Sequence, residues 1–283
     1  MRLANLNGRA VLVIADESGH DVATLSSGRS GPDLPRVSEN WEAFRAWVDD
    51  LEPAGPGERL DRVSLGPPSP APRQILAVGL NYSKHAAEAG FEPPAGLPPV
   101  FTKFVSALAG PDCTVTLPPD GHTDWEVELV VVIGASAREV TVEDAWSHVA
   151  GLTLGQDLSE RIRQMAATPP QFSLGKSHER FAPTGPWLVT PDELENSEDI
   201  AIGCSIDGEV VQSGRTSELI YSIPRLVSEL SQVVTLLPGD LVFTGTPDGV
   251  GLGRTPQRWL EPGNHLRSWA EGIGELNQRF VAR

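Results

Sequence analysis

Trp125-Glu-Val-Glu-Leu-Val-Val-Val-Ile-Gly134 is the stretch on which the reading of this chain turns. It begins by alternating polar and apolar residues and then runs continuously apolar from Leu129 to Ile133. A β-branched run of this length, closed by a glycine, predicts a buried strand. Successive side chains of a strand point to opposite faces. Glu126 and Glu128 therefore share one face, about 7 Å apart, and Trp125, Val127 and Leu129 share the other. Two carboxylates beside an apolar strand are costly unless something positive neutralises them, and a divalent metal is the simplest such group. The alternative for a lone Glu-x-Glu is a solvated strand face. The continuation into Val-Val-Val-Ile argues against a fully wet one.

Working outward, ILAVGL (75–80), HVAGLTLGQDLS (148–159) and GDLVFTG (239–245) are further strand candidates. The N-terminal MRLANLNGRAVLVIADESG predicts two strands around a turn. Short helices are expected over Asn40-WEAFRAWVDDLE, with Asn40 as N-cap, and around 83–89, 142–148 and 223–232. The proline-rich Gly66-PPSPAPR73 is the clearest boundary, separating a small β-containing module (1–70) from a larger domain (71–283). The expected class is β-rich mixed α/β. With 28 glycines and 25 prolines, a helical bundle or coiled coil is excluded.

A formal charge of -16, from 38 acidic residues against 22 lysines and arginines, argues against nucleic acid as a partner. It says little about the substrate, since net charge and local charge differ. No apolar run approaches the ~20 residues that span a bilayer, so no membrane association is expected. Two distant cysteines, Cys113 and Cys204, make no disulfide framework, and a cytoplasmic protein is expected.

Four other constellations can carry chemistry. Asp157 follows an apolar strand. With Glu126 and Glu128 it would complete an all-oxygen set suited to Mg²⁺ or Mn²⁺. In Asn81-Tyr-Ser-Lys-His85-Ala-Ala-Glu88, the histidine and glutamate stand at i and i+3, on one helix face, where the carboxylate can raise the imidazole's basicity. Gly175-Lys176-Ser suggests a phosphate loop, but the glycine such a loop needs is replaced by Pro170. Gly249-Val-Gly251-Leu-Gly253 fails as a dinucleotide fingerprint because Arg254 takes the place of its last glycine, though the loop can bring backbone close to a ligand. There is no Gly-x-Ser-x-Gly elbow of the serine hydrolases.

Taken in order, VGLNYSKHAAEAG, FTK, DWEVELVVVIG, GQDLSER, GKS with GPWLVT, PGDLVFTGTPDGVG and EGIG closely resemble the fumarylacetoacetate hydrolase family over about residues 73 to 283. The resemblance implies a largely β roll or sandwich with short peripheral helices, usually a homodimer. It implies Mg²⁺ or Mn²⁺ on Glu126, Glu128 and Asp157, water activation by His85 and Glu88, and a catalytic Lys176. It implies substrate contacts from Tyr82, Lys103, Arg161, Gln164 and Thr246. Departures are Gln156 for the usual Asn, Trp125 for Tyr, Glu160 for a small residue, SHERF after Lys176, and PGNHLRSWAEGIG without the usual Gly-Asp.

The implied substrate is a small anionic 2-oxo acid. The expected reaction is hydrolysis of a C–C bond in a 2,4-dioxo acid, with a metal-stabilised enolate leaving. Decarboxylation of oxaloacetate and isomerisation of a hydroxymuconate-like diacid use the same chemistry. A metal- or ligand-binding protein without turnover is the non-enzymatic alternative.

Overall fold

In a computed structural model the described residues are 1–15, 18–51, 55–88, 90 and 96–283. The apolar run is the strand Val127–Ile133, buried on both faces in the middle of the largest sheet. Antiparallel Val149–Gln156 flanks it on one side and antiparallel Leu241–Phe243 on the other. Beyond Leu241–Phe243 comes the parallel strand Ile75–Val78, and then Val100–Thr102. Beyond Val149–Gln156 comes Ala182–Val189 and then, in order, Arg2–Leu6, Arg9–Ala15, Ser18–Asp21 and Glu58–Arg59. The continuous Val/Ile/Leu character follows from this burial, because neither face of the central strand meets water.

The two N-terminal strands form a hairpin. Asn7 and Gly8 both take positive φ (50° and 82°), the geometry that suits the twist of a two-residue turn. Arg2 and Leu3 then pair with Val189 and Leu188, so the first strands extend the central sheet. Residues 16–17 of the expected N-terminal reading lie outside the described residues. The expected helix after Asn40 is Trp41–Asp49, and position 52 lies outside the described residues. The Asn40 side chain makes no cap hydrogen bond, because Asn40 also ends the preceding helix Leu34–Glu39 and its backbone serves both. The helix expected around 142–148 is only the 3₁₀ turn Ala145–His148, and that around 223–232 is Ile223–Ser231.

A second, five-stranded sheet packs on the first. Its order is Glu209–Arg215, Ala201–Ile206, His265–Ala270, Gly274–Val281 and Asp112–Thr116. Two glutamines stitch the layers. Gln156 Nε2 donates to Ser268 Oγ (2.9 Å), and Gln212 Oε1 accepts from Val127 N (2.9 Å).

The proline-rich segment is pinned to the turn before Leu241. Ser69 Oγ donates to Gly239 O (2.5 Å). Fully buried Asp240 accepts from the backbone of Arg73 (3.1 Å), Gln74 (2.9 Å) and Leu237 (2.8 Å).

Candidate metal centre and base pair

The central ladder brings the three carboxylates together. Val127 pairs with Gln156, and Asp157 N donates to Glu126 O (2.9 Å), so Asp157 stands beside Glu126 across the ladder. Ligand oxygens of Glu126, Glu128 and Asp157 lie within 4.8 Å of one another, and all three residues are buried. Gly155 permits this closeness, because a Cβ there would sit 2.6 Å from Val130 Cγ2 and 2.7 Å from the Phe243 ring. Gly245, at φ 104°, turns its N–H onto Glu128 Oε2 (2.7 Å).

Three cations surround the triad. Lys176 Nζ bridges Glu126 Oε2 (2.8 Å) and Asp157 Oδ2 (2.6 Å). Lys103 Nζ donates to Asp157 Oδ1 (2.5 Å) and to the carbonyl of Lys176. Arg161 divides its fork among Asp124 Oδ1 (Nε, 2.7 Å), Glu126 Oε1 (2.6 Å) and Gln164 Oε1 (2.8 Å). The short helix Arg161–Gln164 is aimed by Glu160, whose carboxylate accepts from Ile162 N (3.1 Å) and Arg163 N (2.7 Å). Sequence reading saw Glu160 only as a departure; an acid just before a helix was the signal for its capping role.

Four buried carboxylates (Asp124, Glu126, Glu128, Asp157) thus face three buried cations (Lys103, Arg161, Lys176). The surplus negative charge falls on Glu128, which has no ion pair among the described residues. Burial, then Asp157 and Glu126, push its carboxyl well above the ordinary range. Burial also acts against the charge of Glu126, but Lys176, Arg161 and His85 outweigh it and hold that carboxyl low. Burial lifts Asp124 to about 6 despite Arg161. Burial lowers Lys103, whereas at Lys176 the two carboxylates outweigh burial and raise it. A further cation at Glu128 would balance this cluster, and three carboxylates are the hard oxygen donors that Mg²⁺ or Mn²⁺ takes. The residues present therefore fit such an ion.

The His–Glu pair reaches the same place through the sheet. Ile75–Val78 lies beside Leu241–Phe243, and the chain leaves it to enter the helix Ser83–Glu88. Fully buried Asn81 fixes that entry, with Nδ2 donating to Thr244 O (2.8 Å) and Tyr221 O (3.0 Å) and Oδ1 accepting from Tyr221 N (2.8 Å). His85 Nδ1 meets Glu88 Oε1 at 2.8 Å, and Gly249 N donates to Glu88 Oε2 (2.9 Å). Gly245, whose N–H holds Glu128, lies against Asn81 at the entry of this helix, since a Cβ on it would sit 2.8 Å from Asn81 Cβ. Position 89 of the expected helix lies outside the described residues.

The other expected contacts are held inside the protein. Thr246 Oγ1 donates to Val127 O (2.9 Å) and accepts from Gln212 Nε2 (2.8 Å). Arg161 and Lys103 are spent on carboxylates. The Tyr82 hydroxyl is buried without a partner among the described residues, and burial, then Glu128, raise its phenol. Gln156, the departure from Asn, accepts from Glu126 N (3.0 Å) and so helps set the triad's backbone. Asp124 and Gln212 are structural partners that sequence reading missed. Asp124 carried a signal in its place two residues before Glu126, and Gln212, 85 residues from Val127, carried none.

Comparison with known proteins agrees with this geometry. Residues 74–281 match the family described as fumarylacetoacetate (FAA) hydrolase, C-terminal. The mitochondrial oxaloacetate tautomerase FAHD2A of Bos taurus is 40% identical over 271 residues, 94% of this chain and 86% of the relative. A Mycobacterium smegmatis crystal structure superposes with a TM-score of 0.95 at 50% identity, covering 100% of this chain and 99% of that one. Maleylpyruvate hydrolase from Sphingobium sp. SYK-6, solved with manganese(II) and pyruvate, gives a TM-score of 0.80 at 30% identity over 100% of this chain and 99% of that one. No helix among the described residues is long and apolar enough to cross a membrane.

Proposed function

Since this chain belongs to the fumarylacetoacetate hydrolase family, we propose that it is a Mg²⁺- or Mn²⁺-dependent enzyme that hydrolyses a C–C bond in a 2,4-dioxo acid of the acylpyruvate type. The observation that carries this reading is the 2.8 Å contact between His85 Nδ1 and Glu88 Oε1 beside a buried carboxylate triad. Glu126, Glu128 and Asp157 hold the ion, which when bound supplies Lewis acidity to the 2-oxo acid end of the substrate. Glu88, itself locked by Gly249 N, fixes the imidazole and leaves Nε2 to take a proton from water. The hydroxide adds to the distal carbonyl. The C–C bond breaks with its electron pair going to the pyruvate-type fragment, which leaves as an enolate and takes back the proton held by His85. The other fragment leaves as a carboxylic acid.

Lys176, which bridges two of the three carboxylates, offsets the negative charge that develops. Tyr82, with its unpartnered hydroxyl, and the Gln164 side-chain NH₂ supply hydrogen bonds to the substrate. Lys103, Arg161 and Thr246 act by holding Asp157, Glu126 and Val127 in place. The maleylpyruvate hydrolase relative supports the hydrolytic outcome. A homodimer in the cytoplasm belongs to the same reading.

A second reading is favoured by the 40% identity to an oxaloacetate tautomerase. There the base pair would move a proton between carbon and oxygen and add no water. One substrate panel separates the two. Purified protein receives acylpyruvates or oxaloacetate with Mg²⁺, Mn²⁺ or EDTA. Loss of acylpyruvate absorbance matched by release of pyruvate and of the second carboxylic acid supports hydrolysis, whereas pyruvate from oxaloacetate marks decarboxylation. Faster enol–keto exchange of oxaloacetate without pyruvate transfers the assignment to tautomerisation. No turnover of any 2-oxo acid overturns both.

A further inference from the structure

The glycine loop 249–253, which no nucleotide motif explains, is fastened to both halves of the site. Gly249 N holds Glu88 Oε2 (2.9 Å), and Gly249 O accepts from Trp125 Nε1 (3.2 Å). Leu252 N donates to Asp124 Oδ2 (2.8 Å). A Cβ on Gly253 would lie 2.7 Å from Glu88 Oε2, and one on Gly251 would lie 2.7 Å from Asp124 Cβ. Asp124 is fully buried, and its other oxygen, Oδ1, pairs with Arg161 Nε (2.7 Å). Arg161 in turn holds Glu126 (2.6 Å). One carboxylate therefore has one oxygen on the side of the triad and the other on the loop that clamps the base pair.

We propose that Asp124 is a positioning residue that couples the carboxylate triad to the His85–Glu88 pair through the loop 249–253. The inference rests on the reading of His85 and Glu88 as the water-activating pair. Without the Asp124 carboxylate, Leu252 N loses its acceptor, the loop loosens, and Glu88 loses the amide that orients it. Turnover then falls, while substrate held by the triad's ion still binds.

The test uses the full chain with Mn²⁺ and compares Asp124→Ala, Asp124→Asn, Gly253→Ala and the Asp124→Ala/Gly253→Ala double variant. Backbone amide exchange at 249–252 is read alongside kcat and KM. Asp124→Ala and Gly253→Ala are expected to lower kcat about 10- to 100-fold, with KM within about threefold. Exchange at Gly249 and Leu252 rises in Asp124→Ala. Asp124→Asn, which keeps an acceptor for Leu252 N, retains the protection even if the alanine variant does not fold. The double variant is no slower than the slower single one, as residues acting through one loop require. Unchanged exchange at Gly249 in Asp124→Ala, lost protection in Asp124→Asn, or multiplicative losses in the double variant would overturn the coupling. Exchange does not require turnover, so an inactive wild type rejects the functional reading and leaves the coupling to be judged by exchange. An inactive His85→Ala beside a fully active Asp124→Ala rejects the coupling alone.

Discussion

Glu126, like Asp157, has both oxygens committed to cations: Lys176 takes one and Arg161 the other. Held ionised by these charges, it is ready to ligate a cation without first losing a proton. Glu126→Gln removes that charge at nearly constant volume and leaves two buried cations short of a partner. It is expected to weaken Mn²⁺ binding by at least about 100-fold in calorimetry, with the far-ultraviolet circular dichroism of the wild type. Wild-type affinity in this variant would remove Glu126 from the ligand set. Glu128 differs, because burial, Asp157 and Glu126 push its carboxyl up, so a cation that arrives there displaces a proton. The identities of all three acids were legible in the sequence. Which cation meets which oxygen was not, because Lys103, Arg161 and Lys176 come from three separate segments.

Among elements, the central strand was legible because burial on both faces demands an uninterrupted apolar run. Its pairing depends on Gly155. Gly155→Ala would drive a methyl against Val130 and Phe243, at a cost of about 1–3 kcal/mol and a matching drop in Tm. An unchanged Tm would mean that the ladder has slack at this point. The segment 66–73 reads as a linker, yet it is stapled by Asp240. Asp240→Ala removes the acceptor shared by the backbone N–H groups of Arg73, Gln74 and Leu237, and is expected to cost about 1–3 kcal/mol in denaturant titration. At the edge, Arg9 donates to Asp21 (2.6 Å) and lowers its carboxyl from 3.8 to about 2. A lowered carboxylate stabilises the folded state above its unfolded value and loses that contribution as the proton returns. The stability gap between wild type and Asp21→Asn should be complete at neutral pH and close between about pH 4 and pH 2. A gap independent of pH would assign the effect to packing. The five-stranded sheet escaped sequence reading, because strands such as Glu209–Arg215 mix buried and exposed positions without a clean period.

At the scale of the molecule, the acid excess is large, whereas at the site it is nearly offset. The chain carries -16 overall, while the candidate site sets three buried cations among four buried carboxylates. An ion that completes this cluster binds only the folded chain, since the ligands are assembled by the ladder. Mn²⁺ at 100 times its Kd should therefore add about 2.7 kcal/mol to stability, seen as a rise in Tm that EDTA reverses. No shift with Mn²⁺ or Mg²⁺ would contradict a folded-state metal site. The two sheets share responsibility for this assembly, because Gln212 and Gln156 reach from one layer to the other beside the triad.

The sequence by itself determined the family, the β-rich class, the three acids and the His–Glu pair. These are local statements, carried by residue type at fixed spacing along single strands and one helical turn. Only the tertiary structure decided that Lys103 and Arg161 hold carboxylates, that Thr246 holds the central strand, and that Asp124 and Gly249 tie the loop to the site. Those facts depend on contacts between segments far apart in the chain. Side chains from such segments meet through sheet order and register, which no local pattern encodes.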